Sequence, residues 1–138
     1  MAAQRDLIVV GGGAAGLAAA QYGARAGLDV LVLEQLASGG QALVIDSLEN
    51  YPGLSEPVSG FDFSQRMEQQ AARFGAQFMN ASVSAVRRDG ETFTVDTDQG
   101  PLVALAVVLA TGAQHRHLGV PGEQELGGRG VSYCATCD

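Results

Sequence analysis

The sequence predicts an α/β fold, a parallel sheet flanked by helices, with a small antiparallel β-meander set into it. Three observations carry this. A β-branched run, Leu7-Ile8-Val9-Val10, ends in three consecutive glycines. A stretch of helical composition follows it and delivers the chain to a second short apolar run. Later, apolar and polar residues alternate on either side of an Asp-Gly pair, the signature of a hairpin. With 138 residues and 46% hydrophobic content, the chain fits one ordinary domain with a single core.

Residues 7–10 suit a strand buried on both faces. The helix after the glycines is predicted over 14–26, with Ala15, Ala18 and Ala19 as the small face that packs close to the sheet and Gly27 as a left-handed C-cap. Asp29 leads into a second apolar strand, 30–33, closed by Glu34, which completes a βαβ unit. Residues 35–59 are irregular, punctuated by Ser38-Gly39-Gly40, Tyr51-Pro52-Gly53 and Glu56-Pro57. So long a connection is more often a functional loop than filler. Ser59 is a fitting N-cap for a helix with Asp62 in its first turn, Phe63, Met67, Ala71 and Phe74 on its apolar face and Gly75 as its stop. Residues 77–79 read as a third parallel strand. A hairpin of 83–87 and 92–97 about Asp89-Gly90 continues, after Gln99-Gly100, into a strand at 102–105. Residues 107–109 then read as a fourth parallel strand running into Ala110-Thr111-Gly112.

Composition narrows the classes. A net charge of −7, with only eight Lys and Arg, argues against a nucleic-acid partner, which usually meets a basic stripe. No apolar run approaches the roughly 20 residues of a membrane span, and the apolar start runs into glycines rather than a cleavage site. The expectation is a soluble, cytoplasmic protein. The two cysteines are too close together to staple a long loop.

Gly11-Gly12-Gly13-Ala14-Ala15-Gly16 satisfies G-x-G-x-x-G between a strand and a helix, which is the context that gives the pattern meaning. Gly11 serves the tight turn, Gly13 leaves no side chain between backbone and a pyrophosphate, and Gly16 allows close helix-to-strand packing. The N–H groups at the helix start then hold phosphates. Glu34, 18 residues past Gly16, stands at the end of the second strand, where a carboxylate accepts hydrogen bonds from a ribose. The expected fold is thus Rossmann-like and binds a dinucleotide, FAD or NAD(P), which the fingerprint alone does not separate. The chain closes on Cys134-Ala135-Thr136-Cys137-Asp138. A C-x-x-C pair closes into a small disulfide and reopens, often with one thiol pKa lowered, and Asp138 would move protons during exchange if its own pKa were raised. The rival reading is a zinc site made by His115, His117, Cys134 and Cys137.

Beyond these, Gly39-Gly40-Gln41, Glu49-Asn50-Tyr51-Pro52-Gly53, Ala110-Thr111-Gly112, Val120-Pro121-Gly122-Glu123, Gly128-Arg129-Gly130-Val131-Ser132 and the cysteine motif appear in one order. In that order and spacing the sequence resembles the bacterial low-molecular-weight thioredoxin reductases over essentially its whole length. The resemblance implies FAD at the first site and NADPH as electron donor on a second Rossmann-like domain absent from this chain. It implies that Gly11, Gly13, Ala14, Ala15 and Gly16 cradle the FAD pyrophosphate, that Glu34 meets the adenosine ribose, that Gln35 is a further cofactor-binding residue, and that Gly39, Gly40 and Gln41 wrap the cofactor. Asn50 would contact the flavin side, while Val83, by its backbone, and Ala110, Thr111 and Gly112 complete the surroundings. Cys137 would be the flavin-facing sulfur, Cys134 the attacker of the thioredoxin disulfide and Asp138 the acid and base. The partners implied are thioredoxin and a second copy in a homodimer, with no nucleic acid and no membrane.

The resemblance divides the chain into residues 1–114, the first part of an FAD domain, and 115–138, the hinge and start of a truncated NADPH and dithiol domain, so the fold is expected to be incomplete on its C-terminal side. Ala14 and His115 stand where relatives usually carry proline, and Leu105 where they often carry a polar residue. The flavoprotein subunit of alkyl hydroperoxide reductase and the dithiol oxidases of this scaffold are close competitors, whereas the ferredoxin reductases of the fold lack the cysteine pair and fit worse. A piece of a full reductase, inactive and holding flavin weakly by itself, is favoured over a short nucleotide-binding or dimerising redox-switch module.

Overall fold

The computed structural model describes residues 4–114 and 116–134. The elements in chain order are β1 (Arg5–Val10), α1 (Ala14–Arg25), β2 (Val30–Glu34), a 3-10 turn (Gly40–Val44), α2 (Gly60–Arg73), β3 (Gln77–Asn80), β4 (Val83–Asp89), β5 (Thr92–Thr97) and β6 (Gly100–Leu109). The strands form one six-stranded sheet in the order β3-β2-β1-β6-β5-β4. β1 pairs in parallel with β2 and β6, and β2 with β3. β5 pairs antiparallel with β4 and β6.

The parallel units arise as the sequence predicts. Pleating sends alternate side chains to opposite faces, so Leu7, Val9, Val30 and Val32 form one core with Ala20, Ala24 and Ala71 of the helices. Ile8, Val10, Leu31 and Leu33 form a second core with Ala81, Val95 and Ala104 from the antiparallel end. Ile8, Val9, Val30 and Val32 have no exposed surface, and each such burial is worth about 1.5–3 kcal/mol.

Three expectations are corrected. The buried residues of α1 are Gly16, Leu17, Ala20 and Ala24; of the expected small face Ala19 does pack against the first core, whereas Ala15 is exposed and Ala18 only partly buried. Leu17 is the bulkiest apolar side chain near the helix start and sets the phase, leaving Ala15 exposed. In α2, Phe63 and Ala71 are buried as expected, but Phe74 is 39% exposed and lies 5.8 Å from the Arg25 guanidinium. Finally, 102–105 and 107–109 are not two strands but one. Nothing between them breaks a strand, and the buried Ala104 pairs with Phe93 on one side and Arg5 on the other. The meander is therefore a direct continuation of the parallel sheet. The Ser59 cap is as expected, its Oγ accepting from Asp62 N–H at 3.0 Å. No helix among the described residues is long and apolar enough to cross a membrane.

Candidate dinucleotide cradle and cysteine loop

An open cavity of about 370 Å³ lies where β1, β2 and β6 end together, lined by Gly11, Gly13, Ala14, Ala15, Glu34, Gly39, Gly40, Gln41, Ala42, Leu109, Ala110, Thr111 and Gly112. In a parallel sheet this carboxyl-terminal crevice is where ligands settle. Gly11, at φ +105°, has no room for a Cβ, which would overlap Ala110 O. A Cβ on Gly16 would likewise overlap Gly11 O. These two glycines bring α1 down onto the strand exit. Gly13 is different: its backbone is extended, with φ −73° and ψ −179°, and the nearest atom to a Cβ there is Gly40 Cα at 4.0 Å. A methyl there would meet only Gly40, at ordinary contact distance, and would overlap nothing. No side chain caps α1, and Leu17 N–H is bonded to Gly13 O at 2.9 Å. The amides before it face the cavity mouth with the positive end of the helix dipole.

The opposite wall is the 35–45 loop. Gly39 N–H donates to Gly12 O at 2.8 Å, and Gln41 Nε2–H spans to Ala113 O at 2.6 Å, tying the loop to the exit of β6. The wall is fixed from behind by α2. A Cβ on Gly60 would overlap Ala42 O, and one on Gly39 would lie 2.6 Å from Ser64 Oγ. Ser64 is itself buried, its hydroxyl donating to Gly60 O at 2.7 Å. The sequence signals Gly60 only as the start of a helix and gives no sign of Ser64 as a support.

Glu34 stands between the walls. Its Oε2 accepts from Gly12 N–H at 2.8 Å and its Oε1 from Gln35 and Leu36 N–H at 2.8 and 3.2 Å. A carboxylate offers about four acceptor positions, so one remains for an outside hydroxyl. Glu34 thus also braces the glycine turn, a role its spacing does not reveal.

The cavity gathers eleven of the sequence-predicted binding residues. Gly16 lies beneath it as packing. Gln35 is exposed outside the lining, its Oε1 accepting from Ser82 Oγ–H at 3.2 Å. Val83, next to Ser82, packs against the second core, and Asn50 is exposed in the long loop, outside the lining. For a dinucleotide diphosphate the fit is direct: bare glycine backbone on both walls, a free helix start and a ribose-competent carboxylate.

Cys134 is half-buried and disulfide-bonded. Cys137, Asp138 and His115 lie outside the described residues, so two members of the alternative zinc set do as well. His117 instead sits 3.1 Å from Tyr133 Oη and 3.4 Å from Glu123 Oε1. Glu123 is 5% exposed and accepts from Tyr133 O–H at 2.6 Å, Leu118 N–H at 2.9 Å and Gly119 N–H at 2.7 Å. The Tyr133 hydroxyl first, then the Leu118 amide, hold its carboxyl down at about 2 from an ordinary 4.5, against burial; the Gly119 amide and His117 add to the lowering. The same bond to Glu123 raises the Tyr133 phenol. The sequence singles out Glu123 within Val120-Pro121-Gly122-Glu123 but gives it no task.

Comparison with known proteins agrees with this geometry. Residues 5–138 match the pyridine nucleotide-disulphide oxidoreductase family model, and the chain belongs to that family of oxidoreductase enzymes. It is 56% identical over 133 residues to a thioredoxin reductase of Treponema pallidum, covering 96% of this chain and 43% of the relative. Among solved structures, it superposes on a thioredoxin reductase of Streptococcus pyogenes with a TM-score of 0.89 at 39% identity, covering 100% of this chain and 45% of the other. On that of Lactococcus lactis the TM-score is 0.82 at 37% identity, with 98% and 44% covered. The resemblance drawn from the motifs is borne out, and the chain spans less than half the length of these relatives. Family membership implies FAD for the domain covered here.

Proposed function

We propose that these 138 residues are the flavin-side part of an FAD-dependent, NADPH-linked thioredoxin-disulfide reductase, with residues 1–114 holding the cofactor and 115–138 carrying the dithiol. The observation that carries the reading is the cavity at the joined ends of β1, β2 and β6, part of whose lining is the bare backbone of Gly13 and Gly40, which lie against each other. Bound FAD supplies a two-electron carrier that accepts from a nicotinamide and donates to a disulfide. The Gly13 to Gly16 amides hold the diphosphate, Glu34 accepts from a ribose hydroxyl, and the Gln41 to Ala113 bond keeps the far wall against the cofactor. Cys137 and Cys134 take the electrons in turn, Cys134 attacks the disulfide of thioredoxin, and Asp138 manages the protons. The division at 114 is supported by the last regular element among the described residues ending at Leu109.

Amide NMR on this chain tests the cradle. Titration with ADP, and then FAD, is expected to move the amides of residues 11–16 and 34–36 first. Shifts confined to other regions, or none at millimolar nucleotide, would overturn the proposal.

A further inference from the structure

Residues 118–133 form a loop closed by its own backbone bonds. Glu123 N–H donates to Val120 O at 3.2 Å, Leu126 N–H to Gly122 O at 2.9 Å, and Val131 N–H to Leu126 O at 3.0 Å. In this exposed loop one carboxylate is buried, and Glu123 uses it to hold the entry through Leu118 and Gly119 and the exit through Tyr133. Cys134 is the next residue, its N–H bonded to Ser132 Oγ at 3.1 Å. A phenol on a carboxylate is a charge-assisted bond, about twice as strong as a neutral one, and here it is anchored one residue from a sulfur.

We propose that Tyr133 and Glu123 form a latch that positions Cys134 for disulfide closure, so that the exchange equilibrium of the Cys134 and Cys137 pair depends on the phenol–carboxylate bond. The inference rests on the proposed redox role of that pair. Closing a disulfide costs the freedom of the segments that bring the sulfurs together. The latch is made while Cys134 is disulfide-bonded, and it restrains the backbone entering the ring, so closure has less freedom left to lose. Tyr133 is a positioning residue and takes no electrons itself.

The test uses the 138-residue chain in buffers of reduced and oxidised dithiothreitol, with free thiols trapped and counted by mass. A dithiothreitol thiolate attacks the protein disulfide, a mixed disulfide forms, and the second thiol closes the oxidised ring. Two electrons pass to the cysteine pair, whose sulfurs take up the two protons that dithiothreitol gives up. In Tyr133→Phe the equilibrium is expected to move about tenfold toward the dithiol, which is roughly 30 mV for two electrons. Glu123→Ala, which also frees the Leu118 and Gly119 amides, should shift it at least as far, the double variant should add less than about twofold to Glu123→Ala because the phenol–carboxylate bond is already lost there, and Glu123→Gln, which keeps an acceptor, should recover part of the shift. Neither side chain belongs to the two cores, so far-UV circular dichroism should not change. Equal constants for wild type and Tyr133→Phe, or additive losses in the double variant, overturn the latch alone. A wild-type pair that dithiothreitol cannot move between the two forms overturns the redox reading and the latch with it.

Discussion

Two glycines on one helix separate steric demand from helix propensity. Gly16 and Gly23 both lie inside α1, so replacing either with alanine gains about 1 kcal/mol of propensity. Their surroundings differ. A Cβ on Gly16 overlaps Gly11 O and comes within 3.2 Å of Val9 Cγ1, and the carbonyl it strikes is β1-turn backbone that cannot step aside without moving the cradle. A Cβ on Gly23 meets Leu7 Cδ2 at 3.0 Å and Val30 Cγ2 at 3.1 Å, both the ends of side chains. Overpacking costs about 1–3 kcal/mol. Gly16→Ala belongs at the top of that range and nets a loss of about 2 kcal/mol, whereas Gly23→Ala sits at the bottom and nets close to zero. With a urea m-value of roughly 2 kcal/mol/M for a chain of this size, the midpoints should differ by about 1 M. Equilibrium urea unfolding followed by circular dichroism reads this directly. A Gly16→Ala protein as stable as Gly23→Ala would refute the claim that the third fingerprint glycine is required by contact with the first.

Glu123, with its folded pKa at about 2 against 4.5, contributes stability that is fully present above pH 4.5 and is lost as pH falls from 4.5 toward 2. A carboxyl carbon NMR titration should place its midpoint well below that of exposed glutamates, and a midpoint near 4.5 would contradict the hydrogen-bond assignment. Alkaline titration of the three tyrosines by ultraviolet absorbance should show the last step vanish in Tyr133→Phe, since its phenol is raised. Gln41→Ala removes the bond to Ala113 O and should speed hydrogen exchange across the 40–45 turn without changing global stability by more than about 1 kcal/mol. For the proposed activity, these residues can replace the matching part of the Treponema pallidum relative. Serine at Cys134 or Cys137 should then abolish NADPH-dependent thioredoxin reduction, and full turnover in either variant would refute the exchange roles.

Local chemistry explains what the sequence disclosed. The β1 to β2 unit was legible because apolar runs, glycine turn and helix composition agree within a few residues, as was the α2 cap, where Ser59 and Asp62 interact three positions apart. The packing face of α1 is legible at Ala19 but not at Ala15 or Ala18, because a run of alanines does not by itself orient a helix. The continuity of β6 was hidden because its two halves follow different partners, β5 and β1, which only the tertiary pairing reveals. In the site, the glycine cradle could be read from spacing. The bracing by Glu34, the support from Gly60 and Ser64 and the Glu123 to Tyr133 bond could not, since each joins residues whose approach depends on the packed fold.

The central claim is that Gly13 is bare because a diphosphate must lie against it and not because the protein needs the space. Gly13→Ala decides this. Its backbone is one that alanine adopts freely, and the nearest protein atom to the new Cβ is 4.0 Å away, so unfolding free energy should stay within about 0.5 kcal/mol of wild type. Affinity for ADP, measured by amide shifts on the same samples, should fall at least about tenfold, as a methyl group takes the place of a phosphate oxygen. Undiminished nucleotide binding in a stable Gly13→Ala protein would contradict the account.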